Sequence, residues 1–353
     1  MSNARELAQI PSTPSGRRNL IINGAMNVAQ RGTSNSSVSD GAFVIDRYSL
    51  RTSNNGWYAA EQSSDAPVGF SYSLKITSNG ANTPASGAYI FFTQKIEGFN
   101  SAQLEFGTAN AKTITISFYI KSSLTGTFAG SIRNSAQNRS YPYTFTISSA
   151  NTWEYKTVTV AGDTTGTWVG STNGIGLDMI FNLGSGSSNS GTAGAWASAG
   201  HLSATGSVNL VETSGATLFM TGLQVEVGSV ATEFEHRSFG EELALCQRYF
   251  QDVTLGSTDA YAMIASGGYE SSTVVRAVLH FTQAMRTLPS VTSSGSFQAS
   301  PISQTLGSLT LDRVSELRGD LSFSTTDARS GGYSVNIRKK NDANAYIYLD
   351  AEL

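Results

Sequence analysis

The sequence lacks most features that mark disulfide-stabilised, membrane-bound or nucleic-acid-binding proteins. It has one cysteine in 353 residues, so no disulfide can form within the chain, and we expect folding in a reducing cytosol. Only 14% of residues are charged and the formal net charge is -3, which disfavours nucleic acid and anionic membrane surfaces as partners. No segment approaches the run of about 18 apolar residues that a membrane helix needs. Charged and polar residues interrupt the first ten positions, where a signal peptide requires an apolar stretch, so we expect neither membrane insertion nor a signal peptide.

Catalytic signatures are also scarce. The sequence contains no G-x-S-x-G, H-E-x-x-H, C-x-x-C, phosphate-loop or dinucleotide-binding motif. Its three histidines, His201, His236 and His280, are far apart and lack metal-ligand spacing. We therefore expect a protein that is not an enzyme and has no cofactor or metal. A hydrolase remains an alternative, because glycosidases need only two convergent carboxylates. The candidates in the first half are Glu61, Asp65, Glu97, Asp163, Asp178 and Glu226.

Glycine, by contrast, is abundant, with 35 residues, and Ser, Thr and Asn separate short apolar alternations. In residues 113–121, TITISFYIK, apolar residues alternate with polar residues and Tyr119, as in a half-buried strand. Further strands are predicted at Ala88–Ile96, Phe128–Asn134, Tyr141–Ile147, Trp153–Val160, Ile175–Leu183 and Thr217–Val227. Strands without intervening helices predict an all-β fold, an antiparallel β-sandwich of the jelly-roll type. The low-complexity segment 184–194 is expected to form a long mobile loop.

The segment 219–250 connects this sandwich to a second β region. It alternates as a strand up to Val227, and Ser238 and Glu241 then have the S-x-x-E spacing of a capped helix. The predicted apolar face of that helix contains Phe239, Leu243, Cys246 and Phe250. The strand pattern restarts after the helix. The predicted layout is an N-terminal tail at 1–17, a jelly roll at 18–238, a linking helix at 239–250 and a smaller β-sandwich at 251–353.

The tail at 1–17 is predicted to dock the protein on a partner. Its short helical stretch ends at Pro11, and a helix of about two turns is marginal alone. Leu7 and Ile10 supply the apolar side chains for such docking.

The aromatic residues are the most suggestive side chains. Sugars stack their C–H faces on flat rings while their hydroxyls bond polar side chains, and this chain has four Trp and 14 Tyr. The candidate ligand-binding residues are Trp57, Trp168, Trp196, Tyr141 and Tyr143. The alternative is that these rings fill the core, which is the interpretation we favour for Trp153. Recognition by the second β region, near 267–269 or 330–333, is a further alternative.

Several strings resemble a family of bacteriophage tail-fibre or virion appendage proteins. The resemblance extends in order over nearly all of residues 18–353. It is carried by NLIINGAMNVAQRGTS, a following DRY, TWEYKTVTVAGDTTGTW, NGIGL, LFMTGLQVEVGSVATEFEHRSFGEELALCQRYF and HFTQAMRTLPSVT. Relatives often carry an acidic residue after the opening Asn-Gly, where related modules hold calcium, but Ala25 follows Gly24 here. The loss of that oxygen ligand supports the prediction of no metal.

This resemblance implies a jelly roll like that of carbohydrate-binding modules, followed by a small C-terminal β domain. It also implies a homotrimer, attached to other virion proteins through the N-terminal tail and assembled in the host cytoplasm. We therefore expect a short tail fibre or appendage that recognises host-surface polysaccharide during adsorption. The alternatives are a purely structural decoration protein of the head or tail, and a polysaccharide depolymerase.

Overall fold

A computed structural model describes residues 17–353 except 255, 327, 328 and 330. Of the predicted docking tail, only Arg17 is included, so Leu7 and Ile10 lie outside the described residues.

Fourteen strands build the first half of the chain. In order, β1 to β14 are Ser34–Asn35, Ala42–Phe43, Ser49–Thr52, Tyr58–Ser63, Ser73–Ser78, Ile90–Glu97, Ile114–Ser122, Gly126–Arg133, Ser140–Ile147, Glu154–Val160, Ile175–Asn182, Ser190–Gly191, Ser203–Ala204 and Thr217–Val227. A four-residue helix, α1 (Gly98–Ser101), follows β6, and short 3-10 turns occupy Ala102–Leu104, Ser187–Asn189 and Leu210–Glu212.

These strands form two six-stranded sheets. The first sheet has the order β1-β4-β5-β14-β7-β10 and the second has the order β2-β3-β6-β11-β8-β9. All pairs within both sheets are antiparallel, and the chain crosses repeatedly from one sheet to the other. The inward residues of the alternating strands, such as Ile116 and Phe118 of β7, share one buried core between the sheets. The predicted antiparallel sandwich is confirmed.

In the described part of the second half, the chain forms a helix and ten strands. Helix α2 is Phe239–Gln247, and strands β15 to β24 are Phe250–Asp252, Met263–Ser271, Val274–His280, Ser290–Ser294, Phe297–Ser300, Gln304–Leu306, Leu309–Asp312, Arg318–Ser324, Ser334–Lys339 and Tyr346–Asp350. They form a three-stranded sheet, β15-β24-β18, and a seven-stranded sheet, β20-β19-β23-β16-β17-β22-β21. Both sheets contribute to a second hydrophobic core, so the predicted short helix and second, smaller β-sandwich are confirmed as elements of the fold.

Two local predictions are corrected. Ser238 caps α2 by accepting from the Glu241 N–H (3.3 Å), as expected. Of the predicted apolar face, Cys246 and Phe250 are buried and Leu243 is partly buried, but Phe239 is 59% exposed. The segment 184–194 is not a featureless loop, since it contains β12, which pairs in parallel with β13. Its glycines permit this packing: a Cβ on Gly186 would lie 1.9 Å from the Ala85 carbonyl oxygen.

Candidate functional site

Three of the five predicted aromatic residues meet at one end of the first sandwich, where they form an end cluster with Phe106. They come from the start of β9 and from the loops that precede β7, β11 and β13. The Trp196 ring centroid is 5.2 Å from Tyr141, 5.4 Å from Trp168 and 5.7 Å from Phe106. The rings meet edge to face, as aromatic quadrupoles prefer, and all four are half-buried against the core.

Both indole N–H groups of the end cluster are already bonded inside the protein. Trp196 Nε1 donates to the Ala161 carbonyl (2.7 Å), and Trp168 Nε1 donates to Asp163 (3.2 Å). Burial opposes ionisation of Asp163, but bonds from Arg139 at 2.6 and 2.8 Å outweigh it and lower the pKa of the carboxyl. An adjoining cavity of about 40 Å³ has room for only a few water molecules. The end cluster therefore closes the sandwich and offers little space for a ligand.

The other two predicted residues lie elsewhere. Trp57 immediately precedes β4, is partly buried against the first core, and shares no ring contact with the end cluster within the described chain. Tyr143 is 2% exposed and donates from its hydroxyl to the Ile180 carbonyl (2.9 Å). The prediction that Tyr143 binds a ligand is wrong, because its ring faces inward from β9 into the core.

The alternative that the second β region recognises the ligand, near 267–269 or 330–333, is also changed by the structure. Residues 267–269 lie inside β16 instead of in a loop, and Tyr269 is buried. Residue 330 lies outside the described residues.

A row of rings crosses the outer face of the first sheet and lines what we call the face groove. Its members are Tyr155, Tyr119, Phe70, Phe234 and His236. Successive ring centroids are separated by 4.9 Å, 5.5 Å, 5.0 Å and 4.8 Å. The groove has a volume of about 480 Å³, which is within the range of small-ligand sites.

The strands position the groove by register. Tyr155 of β10 lies directly opposite Tyr119 of β7, and both point away from the core, which takes the alternate residues. Gly222 of β14 has φ +64° and leaves a hollow: a Cβ there would lie 2.7 Å from the Phe70 ring. Tyr155, at the open end of the row, is 45% exposed.

Buried polar side chains hold the far wall of the groove. Glu226, on the outer face of β14, accepts from the Thr232 N–H (2.8 Å) and hydroxyl (2.7 Å). Gln224 donates to Glu226 (2.9 Å) and accepts from the Glu235 N–H (2.8 Å). These bonds fix residues 231–236, so Phe234 and the exposed Glu233 are presented on a rigid wall.

The six carboxylates considered for hydrolysis are all bonded to other side chains. Five pair with Lys75, Lys121, Arg248, Arg139 and Arg133, and Glu226 is held as described above. Within the described residues, no group of three or more His, Cys, Asp or Glu side chains is placed to hold a metal ion. Among the same residues, no helix has the length and hydropathy needed to cross a membrane.

Sequence reasoning missed the face groove although one signal was present. Tyr119 occupies a position on the polar side of β7, where a solvent-facing strand surface favours Ser, Thr or Lys. Trp153, predicted to be core, lies two residues before Tyr155 and is only partly buried; its indole N–H donates to Asp65 (3.2 Å) on the outer face. Aromatic residues on the polar side of two adjacent strands mark the groove.

No protein-family model matches the sequence, and no curated protein matches it. Among solved structures, the chain is similar to the enzymatically active domain of tailspike protein 4 of bacteriophage CBA120 (16% identity, TM-score 0.33, 60% of this chain). The match spans 21% of that tailspike chain.

Carbohydrate-binding modules are also similar to it. The family 11 module from Clostridium thermocellum, in complex with a mixed-linked tetrasaccharide, is 11% identical (TM-score 0.28, 58% of this chain and 99% of that chain). The N-terminal tandem of family 22 modules from Paenibacillus barcinonensis is 9% identical (TM-score 0.27, 92% of this chain and 98% of that chain). These likenesses are distant, so the chain's own residues carry the functional argument.

Proposed function

We propose that this protein binds carbohydrate through the face groove and does not cleave it. The observation that carries the proposal is the juxtaposition of Tyr155 and Tyr119 across adjacent strands, with half-exposed rings in a groove of about 480 Å³. Such rings stack on the C–H faces of sugars. Ser117, Thr232 and Glu233 line the same groove and supply polar atoms for sugar hydroxyls.

The absence of cleavage is part of the proposal. A glycosidase needs one free carboxylic acid and one free carboxylate flanking the bond, whereas the six candidate carboxylates are engaged by other side chains. Release of new reducing ends from host capsule or lipopolysaccharide incubated with the purified chain would overturn this part.

Replacing Tyr155 with Ala is expected to weaken glycan binding about tenfold while leaving the melting temperature nearly unchanged. The estimate follows from ring stacking, which contributes about 1–3 kcal/mol per ring by analogy with bases. Binding is measured on an array of neutral and acidic surface glycans and then by calorimetry. Tyr261→Ala is the matched control, because Tyr261 is 46% exposed but lies in the second β region.

Trp168→Ala separates the groove from the end cluster. The ring is half-buried and hydrogen-bonded, so its loss is expected to lower the free energy of unfolding by about 2 kcal/mol and to leave affinity unchanged. The reverse pattern, with binding lost in Trp168→Ala and intact in Tyr155→Ala, would move the site to the end cluster. Absence of any glycan signal for the wild type would overturn the function itself.

The narrower proposal is a bacteriophage virion appendage that adsorbs to host-surface polysaccharide. The resemblance of residues 18–353 to tail-fibre proteins supports it, and so does the physical advantage of joining several weak sugar sites in one oligomer. This proposal includes a homotrimer and docking on other virion proteins through residues 1–17, with Leu7 and Ile10 as the apolar contacts.

Deleting residues 1–17 is expected to abolish incorporation into phage particles while both β regions stay folded. The full chain is expected to sediment as a homotrimer. Immunoblots of purified particles and analytical ultracentrifugation measure the two results. Normal incorporation of the shortened chain, or a stable monomer at micromolar concentration, would contradict the respective part.

A further inference from the structure

One wall of the face groove is a surface segment with few backbone hydrogen bonds. Residues 64–72, here called the strap, connect β4 to β5 across the outer face of the first sheet. The strap's one backbone-to-backbone hydrogen bond within the described chain is internal, from Phe70 N to Pro67 O (3.1 Å). Val68 at its crest is fully exposed. The strap therefore lies over the sheet without joining its hydrogen-bond ladder.

Polar bonds hold one end of the strap and packing of the Phe70 ring holds the other. At the first end the Asp65 carboxylate accepts from Lys121 and from the Trp153 indole (3.2 Å), and these bonds lower the pKa of its carboxyl. The Asp65 carbonyl also accepts from the Ser73 hydroxyl (2.6 Å), and its N–H donates to the Ser63 hydroxyl (3.2 Å). At the other end the Phe70 ring occupies the hollow over Gly222. The Asp65 side chain is 48% exposed, so this ion pair is solvated and easily exchanged for water.

The face beneath the strap has an unsatisfied polar group. Thr221 lies opposite Tyr119 in the sheet and next to Gly222, on the same face as both. It is 0% exposed, and its hydroxyl has no hydrogen-bond partner among the described residues. A buried hydroxyl without a partner is unfavourable, so displacement of the strap would let it bond a ligand.

Beyond the strap, the outer face continues with a second group of rings. Trp153 and Phe219 lie 6.2 Å apart, and Lys121 Nζ stands 4.2 Å from the Phe219 centroid. Trp153 immediately precedes the edge strand β10 and is two residues from Tyr155, so the two side chains emerge on the same face about 7 Å apart. Sugar-compatible surface thus exists on both sides of the strap.

The charges on this face favour a neutral ligand. Lys75 and Lys121 each pair with a carboxylate. The groove lining holds one carboxylate, Glu233, and one imidazole, His236, with no lysine or arginine among its described residues. The groove lining therefore has no lysine or arginine to receive the carboxylate or sulfate of an acidic polysaccharide. Displacement of the strap would separate Asp65 from Lys121 and leave that ammonium, beside Phe219, to donate to the hydroxyls of a sugar.

We propose that the strap is a movable cover, and that a linear neutral glycan displaces it and occupies one continuous cleft from Tyr119 and Tyr155 to Trp153 and Phe219. This inference rests on the proposed carbohydrate function and adds the class of ligand and the length it must have. A short sugar uses the groove with the strap as its wall, whereas a long chain uses the uncovered face.

The register of the hairpin provides the test. Ser63 and Ser73 are paired neighbours in β4 and β5, so residues 64–72 can be replaced by Asn-Gly, which closes a two-residue hairpin turn. The probes are the disaccharide and the hexasaccharide of the neutral linear glycan with the strongest array signal. This strapless variant, otherwise complete, is expected to bind the hexasaccharide about tenfold more tightly than the wild type does, because displacement of the strap no longer opposes binding. It should bind the disaccharide more weakly, since Phe70 is lost.

Weaker binding of both sugars by the strapless chain would overturn the cover while leaving the groove as the site. Absence of any glycan signal on the array for the wild type would instead overturn the carbohydrate function and the cover together. Hydrogen exchange gives a reading that needs no ligand: amides of residues 64–72 should exchange much faster than those of β7 and β14. Exchange as slow as in those strands would also reject the cover. The Asp65→Ala substitution should accelerate hydrogen exchange of the strap amides further. Glu61→Ala is the control, because Glu61 is an exposed carboxylate on the same face.

Discussion

Replacing Glu97 with Ala is expected to lower the free energy of unfolding by about 3 kcal/mol. Glu97 ends β6 and is 1% exposed. Its carboxylate accepts from Arg248 at 2.6 and 3.0 Å and from the Tyr249 hydroxyl at 2.7 Å. Removing one partner of a buried ion pair costs about 3–5 kcal/mol, and the 32% exposure of Arg248 places the effect at the lower end.

Urea denaturation measures this loss, and Glu61→Ala is the matched control. Glu61 also pairs with a lysine (2.7 Å), but its side chain is 44% exposed, so a change within about 0.5 kcal/mol is expected. Similar decreases in the free energy of unfolding in the two variants would show that the buried bonds of Glu97 stabilise the fold no more than the exposed ion pair of Glu61.

The contribution of Glu97 should also depend on pH. Burial opposes its ionisation, but the bonds from Arg248 and Tyr249 outweigh burial and lower its pKa below the ordinary 4.5. A lowered pKa in the folded state stabilises the protein above pH 4.5, and this stabilisation is lost as the pH falls through the folded-state value. The difference between wild type and Glu97→Ala should therefore shrink in acid.

Tyr143→Ala is expected to cost about 4 kcal/mol, the largest effect of any substitution considered. The Tyr143 ring is enclosed by the core and lies opposite Gly130 of β8. A Cβ on that glycine would come within 2.4 Å of the Tyr143 hydroxyl. Deleting a buried aromatic ring leaves a cavity whose cost is about 3–5 kcal/mol. Thermal and urea denaturation check the value.

Tyr143→Phe provides the control, because it keeps the ring and removes only the bond to Ile180, at about 1 kcal/mol. In both variants the folded protein should bind glycan like the wild type. A loss below about 2 kcal/mol for the alanine variant, or weaker binding by the phenylalanine variant, would contradict the placement of this ring in the core.

Local periodicity predicted the strands well. The pattern in 113–121 corresponds to β7 at Ile114–Ser122, because alternation is a property of adjacent residues and of one buried face. The same pattern placed Tyr119 on the outer side correctly but left its surroundings undefined. Whether an outward ring is solvated or lines a groove depends on the strap and on residues 231–236, which are distant in sequence.

The end cluster also shows that local sequence does not reveal which distant side chains converge. Tyr141, Trp168 and Trp196 are predicted from their ring chemistry, and the structure brings them together. Phe106 was missed, since nothing in its local sequence distinguishes it. Convergence depends on loops at one end of the sandwich, and the inward direction of Tyr143 depends on the register of β9. Neither is encoded in spacing alone.

Strand β14 has a consequence for synthesis of the chain. It comes last in sequence among the strands of the first sandwich, yet it lies inside its sheet, paired with both β5 and β7. A nascent chain that has not reached residue 217 therefore holds two open strand edges, with Leu74 and Ile116 beside the gap. Until β14 leaves the ribosome the first sandwich cannot close, and the growing chain is most vulnerable to aggregation in that interval.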